Sequence, residues 1–240
     1  MIYLDLTLPS PEENLACDEA LLDAAEEDGA AEVLRFWEPA QYFAVLGFSN
    51  KIAQEINTGA CASLGVPVLR RPSGGGTVLQ GPGCLNYSLI LKINEDSLKS
   101  VTAANHSIMQ KNCAALQTLL NPSEDVKIQG TTDLTFRGLK FSGNAQRRKK
   151  RNLLFHGTFL LGFDISIIEK TLLPPPRQPD YRKKRAHKDF LMNLNLPAEK
   201  VKKALRFAWK TEKKVQNAPQ KRIDLLIAEK YSKKEWNLKF

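Results

Sequence analysis

No apolar run in this 240-residue chain approaches the ~20 residues that a bilayer-spanning helix requires. The opening stretch, Met-Ile-Tyr-Leu-Asp-Leu-Thr-Leu-Pro-Ser, has neither a basic leader nor a long apolar segment, so no secretory signal is expected. Cysteine is scarce. Cys17, Cys61, Cys84 and Cys113 are widely scattered and none stands in a C-x-x-C pair. That spacing argues against a zinc site and, without an export signal, against a disulfide framework. These absences point to a reducing cytoplasm and to no membrane partner. The three histidines, His106, His156 and His187, are too dispersed to suggest a metal cage. There is no internal repeat, and no low-complexity tract beyond short basic runs.

Positive charge is missing from the first part of the chain. Residues 1–100 hold 6 Lys/Arg against 14 Asp/Glu, whereas 101–240 hold 29 against 12. The formal net charge of +9 therefore comes entirely from the second part. Such a basic region implies an anionic partner: nucleic acid, a phosphorylated cofactor or an acidic protein. Nucleic-acid binding would call for aromatics interleaved with the basic runs. Arg147–Arg151 and Arg182–Arg185 have only Phe155 and Tyr181 near them, which ranks nucleic acid last.

What is present alternates between helix and strand signals. Ser10-Pro11-Glu12-Glu13 is a helix start, with Ser10 at the N-cap, Pro11 in the first turn and Glu13 completing a capping box. Leu15, Leu21, Leu22 and Ala25 continue at helical spacing until Gly29. Glu32–Glu38 and Tyr42–Leu46 read as strands, and Lys51–Leu64 as mainly helical. Val66–Arg71 and Thr77–Gln80 read as strands around a glycine loop, and Leu85–Ile93 as a buried strand. Ser100 can cap a long helix over Val101–Leu120. Val126–Gln129, Asp133–Phe136, Leu139–Phe141 and Leu153–Gly162 follow as strands. A helix over Ile165–Leu172 halts at Pro174-Pro175-Pro176, residues 177–196 are basic and irregular, and the tail from Pro197 reads as two or three helices. The order predicts an α+β or mixed α/β fold.

The central stretch is Leu-Arg-Arg-Pro-Ser-Gly-Gly-Gly-Thr-Val-Leu over residues 69–79. Glycine loses the most backbone freedom on folding, so three in succession are kept where the backbone must turn unusually or lie against something bulky. Bare N–H groups beside Arg70 and Arg71 suit a phosphate or carboxylate. A glycine-rich hairpin with two surface arginines is the alternative.

A second stretch runs from Gly130 to Asp164. Lys140 sits between Leu139 and Phe141 and before Ser142-Gly143, a setting for a lysine that points into a cleft and holds an anion, or for one on the outward face of a hairpin. Asp133 is a candidate Mg²⁺ ligand or a turn aspartate. His156, inside an apolar strand, is a ligand-facing or a satisfied core histidine. Arg147–Arg151 is a solvated loop tip, or a mobile loop that closes over a phosphorylated intermediate or meets an acidic partner.

R-R-P-S-G-G-G-T-V, G-P-G-C-L-N-Y-S, D-L-T-F-R-G-L-K-F-S-G-N-A-Q and F-H-G-T-F-L-L, in that order, resemble the lipoate-protein ligase A family of the biotin/lipoate ligase superfamily. N-L-A-C-D-E-A-L-L, L-R-F-W and Y-R-K-K-R-A-H-K-D-F resemble it too, so the likeness spans residues 12–190. The resemblance implies a class II aminoacyl-tRNA synthetase/biotin synthetase-like fold with a large mixed sheet flanked by helices. It implies a catalytic domain over 1–196 and a helical extension over 197–240 packed on it. It also implies a reaction: lipoate or octanoate attacks the α-phosphate of Mg²⁺-ATP, and the acyl-adenylate passes its acyl group to a lysine. The acceptors would be lipoyl domains of 2-oxoacid dehydrogenase E2 subunits or the glycine cleavage H protein.

By the same resemblance, Arg71, Ser73, Gly74, Gly75, Gly76, Thr77, Val78 and Leu79 would hold the nucleotide. Lys140 would reach both the acyl carboxyl and the phosphate as the catalytic residue. Gly143 and His156 would flank the acyl group, Asp133 would assist Mg²⁺, and the strands at Leu85–Leu91 and Phe159–Leu161 would line an apolar slot. Two departures qualify this. Many members continue into an accessory domain, so adenylation is expected to depend on a separate subunit or to give way to transfer of a pre-activated acyl group. Octanoyltransferases of the superfamily use a cysteine just before the D-L segment, and Val126–Thr132 contains none. Thr132 also stands where some ligases have Asn.

Overall fold

Ser10 starts the first long helix as its neighbours dictate. In the computed structural model, which describes residues 1–240, the Glu13 N–H donates to Ser10 Oγ at 3.2 Å and the Ser10 N–H donates to the Glu13 carboxylate at 2.7 Å. Ahead of it lies β1 (Ile2–Asp5); the helix, α1 (Pro11–Asp28), ends on Gly29 at φ 69°. Then come β2 (Val33–Trp37), β3 (Phe43–Leu46), α2 (Ile52–Glu55), α3 (Thr58–Ser63), β4 (Val68–Arg70), β5 (Val78–Gln80) and β6 (Cys84–Lys92). The long helix α4 (Val101–Gln117) precedes β7 (Val126–Gln129), β8 (Asp133–Phe136), β9 (Leu139–Arg148) and β10 (Asn152–Leu160). The remainder is α5 (Ile165–Thr171), α6 (His187–Phe190), α7 (Ala198–Ala208), β11 (Lys213–Val215), α8 (Gln220–Leu226) and α9 (Lys234–Asn237). No helix is long and apolar enough to cross a membrane.

Eight strands form one mixed sheet in the order β11-β1-β2-β6-β10-β9-β8-β7, and β4-β3-β5 form a second. This is the large mixed sheet flanked by helices that the resemblance implies. Strand alternation divides the labour between its faces. Leu85, Tyr87 and Leu89 of β6, with Phe155 and Phe159 of β10, pack on Ile108 and Leu116 of α4 and Val201 and Leu205 of α7. The other face carries Trp37, Ile90 and Leu154 against Leu15, Leu21 and Leu22 of α1, and against Phe43, Val45 and Leu69 of the small sheet. Between the two sheets, where Asn86, Ser88, His156 and Thr158 replace apolar side chains, a cavity opens.

Two expectations change. The tail is not purely helical, because Lys213–Val215 adds a parallel edge strand to β1, itself unanticipated. Both are too short to show a clear alternation, and Lys213–Val215 is mostly exposed. Second, β9 runs through Arg148, well beyond Phe141, so Arg147 and Arg148 are strand residues. In the turn that remains, Lys149 Nζ lies 2.6 Å from Asp23, and Arg151 pairs with Glu26. Residues 197–240, expected to pack on the rest of the chain, contribute to both cores. Val201 and Leu205 join one, Ile223 and Tyr231 the other. Trp236 Nε1 donates to the Arg70 carbonyl at 2.9 Å and the Arg70 N–H donates to Asn237 Oδ1 at 3.1 Å, which braces the strand leading into the glycine loop.

Candidate active site

Arg71 organises the glycine loop from within. Its Nε donates to Ser73 Oγ at 3.0 Å, Nη1 to the Val45 carbonyl at 3.2 Å, and Nη2 to the carbonyls of Gly74 and Gly76 at 2.7 and 2.8 Å. Burial lowers its pKa to about 10 against the attraction of Glu55, so it remains a cation at neutral pH. These bonds engage all three guanidinium nitrogens and hold the loop in shape, and Arg71 also lines the cavity. Gly75, at φ 87°, makes the left-handed step that wraps the loop around this guanidinium. Glu55 fastens the far side, accepting from the Thr77 N–H at 3.0 Å. Gly75, Gly76, Thr77, Val78 and Leu79 line the cavity. Ser73 is buried beneath the loop and Gly74 lies on its outer side.

Ser73 meets His156, as Ser73 Oγ lies 2.6 Å from His156 Nε2. The other ring nitrogen is 3.5 Å from Asp18 Oδ2. Asp18 pairs with Arg35 at 2.5 Å and accepts from Ser88 Oγ at 2.7 Å. Burial alone would raise the Asp18 carboxyl, but Arg35 and the bonds from His156 and Ser88 hold it below the ordinary value. His156 thus lines the cavity as a clamped side chain with both ring nitrogens faced.

On the opposite wall, Lys140 Nζ stands 2.7 Å from Asp133 Oδ1, and the Tyr181 hydroxyl donates to Asp133 Oδ2 at 2.6 Å. The expected cleft lysine therefore faces the cavity, not solvent. Gly143 makes room for Lys140 itself, since a Cβ there would lie 3.0 Å from its Nζ. Asp133 holds Lys140 on one carboxylate oxygen and Tyr181 on the other, and no cluster of three or more metal-ligating side chains surrounds it.

The cavity encloses about 770 Å³, within the range of small-molecule sites. Its apolar wall matches the expected one in part: Tyr87 and Leu160 line it, Leu15, Trp37, Val45 and Leu79 add to it, and Leu85 and Leu89 face the opposite core because β6 alternates. The polar wall is a closed trio: Gln80 Nε2 donates to Thr158 Oγ1 at 2.6 Å, Thr158 Oγ1 to Asn86 Oδ1 at 2.5 Å, and Asn86 Nδ2 to Gln80 Oε1 at 3.0 Å. Arg177, Arg182 and His187, which also line it, come from the segment that read only as basic and irregular. Tyr181 and Asp18 were not singled out either. Nothing local marks them, since each acquires its meaning from a partner far away in sequence.

No cysteine lines this cavity. Cys17 and Cys84 are buried, and burial pushes their thiols up to about 11 and about 12. Cys61 and Cys113 are shifted upward for the same reason.

The family described as the lipoyl protein ligase A/B catalytic domain matches residues 10–210. The chain belongs to that family. An octanoyltransferase LipM from Carboxydothermus hydrogenoformans is 31% identical over 71% of this chain and 68% of its own length. A putative lipoate-protein ligase A from Aeropyrum pernix is 30% identical over 72% of this chain and 62% of its own. In fold, the solved bi-partite lipoate protein ligase of Thermoplasma acidophilum aligns with a TM-score of 0.84 at 21% identity, over 99% of this chain and 95% of that one. Membership in the lipoyl ligase A/B family leaves open whether an acyl group arrives as a free acid or already activated, because relatives of similar identity carry both names.

Proposed function

We propose that this protein activates lipoate or octanoate with ATP and transfers the acyl group to a lysine of a lipoyl-carrier domain. The observation that carries this reading over thiol-based transfer is the absence of any cysteine from the cavity, with Lys140 facing it instead. The acyl chain would lie along Leu15, Trp37 and Val45. Its carboxylate and the α-phosphate would meet between the glycine loop and Lys140, whose charge offsets the negative charge that develops as the new bond forms. Arg177 and Arg182 add cations at the mouth where pyrophosphate departs. Mg²⁺ would accompany the nucleotide phosphates, which supply most of its ligands. The basic second part of the chain suits an acidic carrier domain, such as one from a 2-oxoacid dehydrogenase E2 subunit or a glycine cleavage H protein. The bi-partite relative supports a requirement for an accessory subunit.

The names of the octanoyltransferase relatives favour a second reading, transfer from an octanoyl-carrier protein without ATP. One experiment separates them. The protein is incubated with octanoate or lipoate, Mg²⁺-ATP and a lipoyl domain, and AMP release and the acceptor mass are followed. AMP release with an acyl mass shift supports the ligase. A shift seen only with octanoyl-carrier protein selects the transferase and overturns the ATP-dependent reading.

A further inference from the structure

We infer that Phe48, Leu238 and Phe240, with Arg147, Lys51 and Lys239 around them, form the surface on which an acidic carrier domain docks to present its acceptor lysine to the cavity. This rests on the acyl-transfer reading above but not on the origin of the acyl group, because the acceptor must be presented in either case.

Seven large apolar side chains of the protein are exposed, and three of them belong to this patch: Phe48 at 38%, Leu238 at 47% and Phe240 at 52%. Single exposed apolar side chains are ordinary, but a group of them marks an interaction surface. Leu238 and Phe240 flank Lys239 in sequence. The Lys239 ammonium gathers the rings, lying 3.7 Å from the centre of Phe48, 4.3 Å from that of Trp236 and 4.9 Å from that of Phe240. Arg147 reaches the same ring from β9, its guanidinium carbon 5.9 Å from the centre of Phe48. The Ile52 N–H donates to the Phe240 carbonyl at 3.2 Å, which sets the exposed Lys51 beside them.

The patch borders the cavity through the glycine loop. The Phe48 N–H donates to the Ser73 carbonyl at 2.8 Å, and a Cβ on Gly47 would overlap the Gly75 carbonyl oxygen. Gly75 and Ala145 line the cavity, and Gly75 is exposed on its outer side. Arg147 stands two residues beyond Ala145, on the same face of β9. A lysine side chain is short beside a folded domain, so the domain that presents it must sit against the rim of the cavity, and this patch is part of that rim. Charge then selects the occupant. Arg147, Lys51 and Lys239 take part in no ion pair. Aromatic rings hold the two longer-reaching cations in place while leaving their N–H groups free for carboxylates. Rings at the centre with cations around them are the composition of a protein interface, here one complementary to an acidic domain.

The test uses the whole chain and a lipoyl domain whose acceptor lysine is flanked by carboxylates. Binding is read by fluorescence anisotropy. Transfer from preformed octanoyl-AMP or octanoyl-carrier protein is read on two acceptors, the lipoyl domain and hydroxylamine, which needs no docking. Arg147→Glu combined with Lys239→Glu should weaken domain binding and raise the KM for the domain by about 10–100-fold. Phe48→Ala should do so by about 5-fold or more. Transfer to hydroxylamine should be unchanged in both. Wild-type binding should weaken as salt rises, and that dependence should shrink in the double variant. Changing the domain's flanking carboxylates to lysine should restore binding to the double variant. Unchanged domain binding in the double variant would overturn the proposal. An equal loss with hydroxylamine would mean that the patch acts only by shaping the glycine loop, and would overturn it as well. A wild-type dimer that the double variant dissolves would assign the patch to a second copy of the chain, with the same consequence. Failure of the acyl-transfer reading shows separately, as a wild-type protein that uses neither donor, while the binding measurement still decides the surface.

Discussion

Lys140 Nζ lies 2.7 Å from Asp133 Oδ1 in the wall of the cavity that the glycine loop also lines. The carboxylate holds the ammonium in place there. Tyr181 completes the group; burial and Asp133 push its hydroxyl upward, so it remains a donor. Lys140→Ala removes the only lysine lining the cavity. Losing one preorganised electrostatic contact costs about 10²–10³-fold in rate, and a drop of that order is expected for acyl activation. Stability should change by about 1 kcal/mol, because Asp133 keeps Tyr181. Single-turnover rates beside thermal unfolding check both, and a fully active variant would remove Lys140 from the reaction.

Asp18 and Arg35 are almost wholly enclosed, with side-chain exposures of 5% and 0%. Asp18→Asn leaves the guanidinium without its counter-charge, and breaking such a pair costs about 3–5 kcal/mol. Urea unfolding should show it. The pH dependence has a definite sign. The folded carboxyl lies below its ordinary 3.8, so its stabilisation is complete above that value and is lost as pH falls through the lowered folded value. That acid step should disappear in the variant.

Local chemistry made much of the architecture legible. The capping box at Ser10, the αL stop at Gly29 and the strands Val126–Gln129 and Asp133–Phe136 all depend on near neighbours, and they fall where the residues place them. The glycine loop and Lys140 stood out because both defy ordinary composition rules. What sequence did not convey was direction. Arg71 turns inward because Val45, Gly74 and Gly76 present carbonyls to it, and only tertiary folding brings those groups together. Arg177, Arg182 and His187 belong to a segment with no periodicity, whose position over the cavity follows from the Tyr181–Asp133 bond.

Tyr87 sits at the centre of a hydrogen-bonded relay through the sheet. Trp209 Nε1 donates to Asn112 Oδ1 at 2.8 Å, and Asn112 Nδ2 donates to the Tyr87 hydroxyl at 2.8 Å. That hydroxyl donates to Asn144 Oδ1 at 2.6 Å, and Asn144 Nδ2 donates to the Thr132 carbonyl at 2.6 Å. The relay links α7 to the turn that presents Asp133. Tyr87→Phe strands both asparagines in a buried site, at a cost of about 1–3 kcal/mol. A double-mutant cycle with Trp209→Phe should show coupling, since the two changes cut one network. Additive losses would show that the bonds act independently.

Two glycines on neighbouring strands allow function and stability to be separated. A Cβ on Gly143 would lie 3.0 Å from Lys140 Nζ and 3.1 Å from its Cε, the far end of a flexible side chain. Gly143→Ala can therefore be absorbed by moving the lysine, which shifts its charge and leaves the sheet intact. A Cβ on Gly157 would instead collide with the Asn144 side chain and come within 3.0 Å of the Gly143 carbonyl oxygen. Backbone cannot yield as a lysine tip does, and Asn144 is held by Tyr87 and Thr132. Overpacking of this kind costs about 1–3 kcal/mol. Gly143→Ala is thus expected to lose activity at nearly unchanged melting temperature, and Gly157→Ala to lose melting temperature first. Melting curves and single-turnover rates on the two proteins check the contrast. A Gly143→Ala protein with wild-type activity would show that the position of the ammonium does not matter to the reaction.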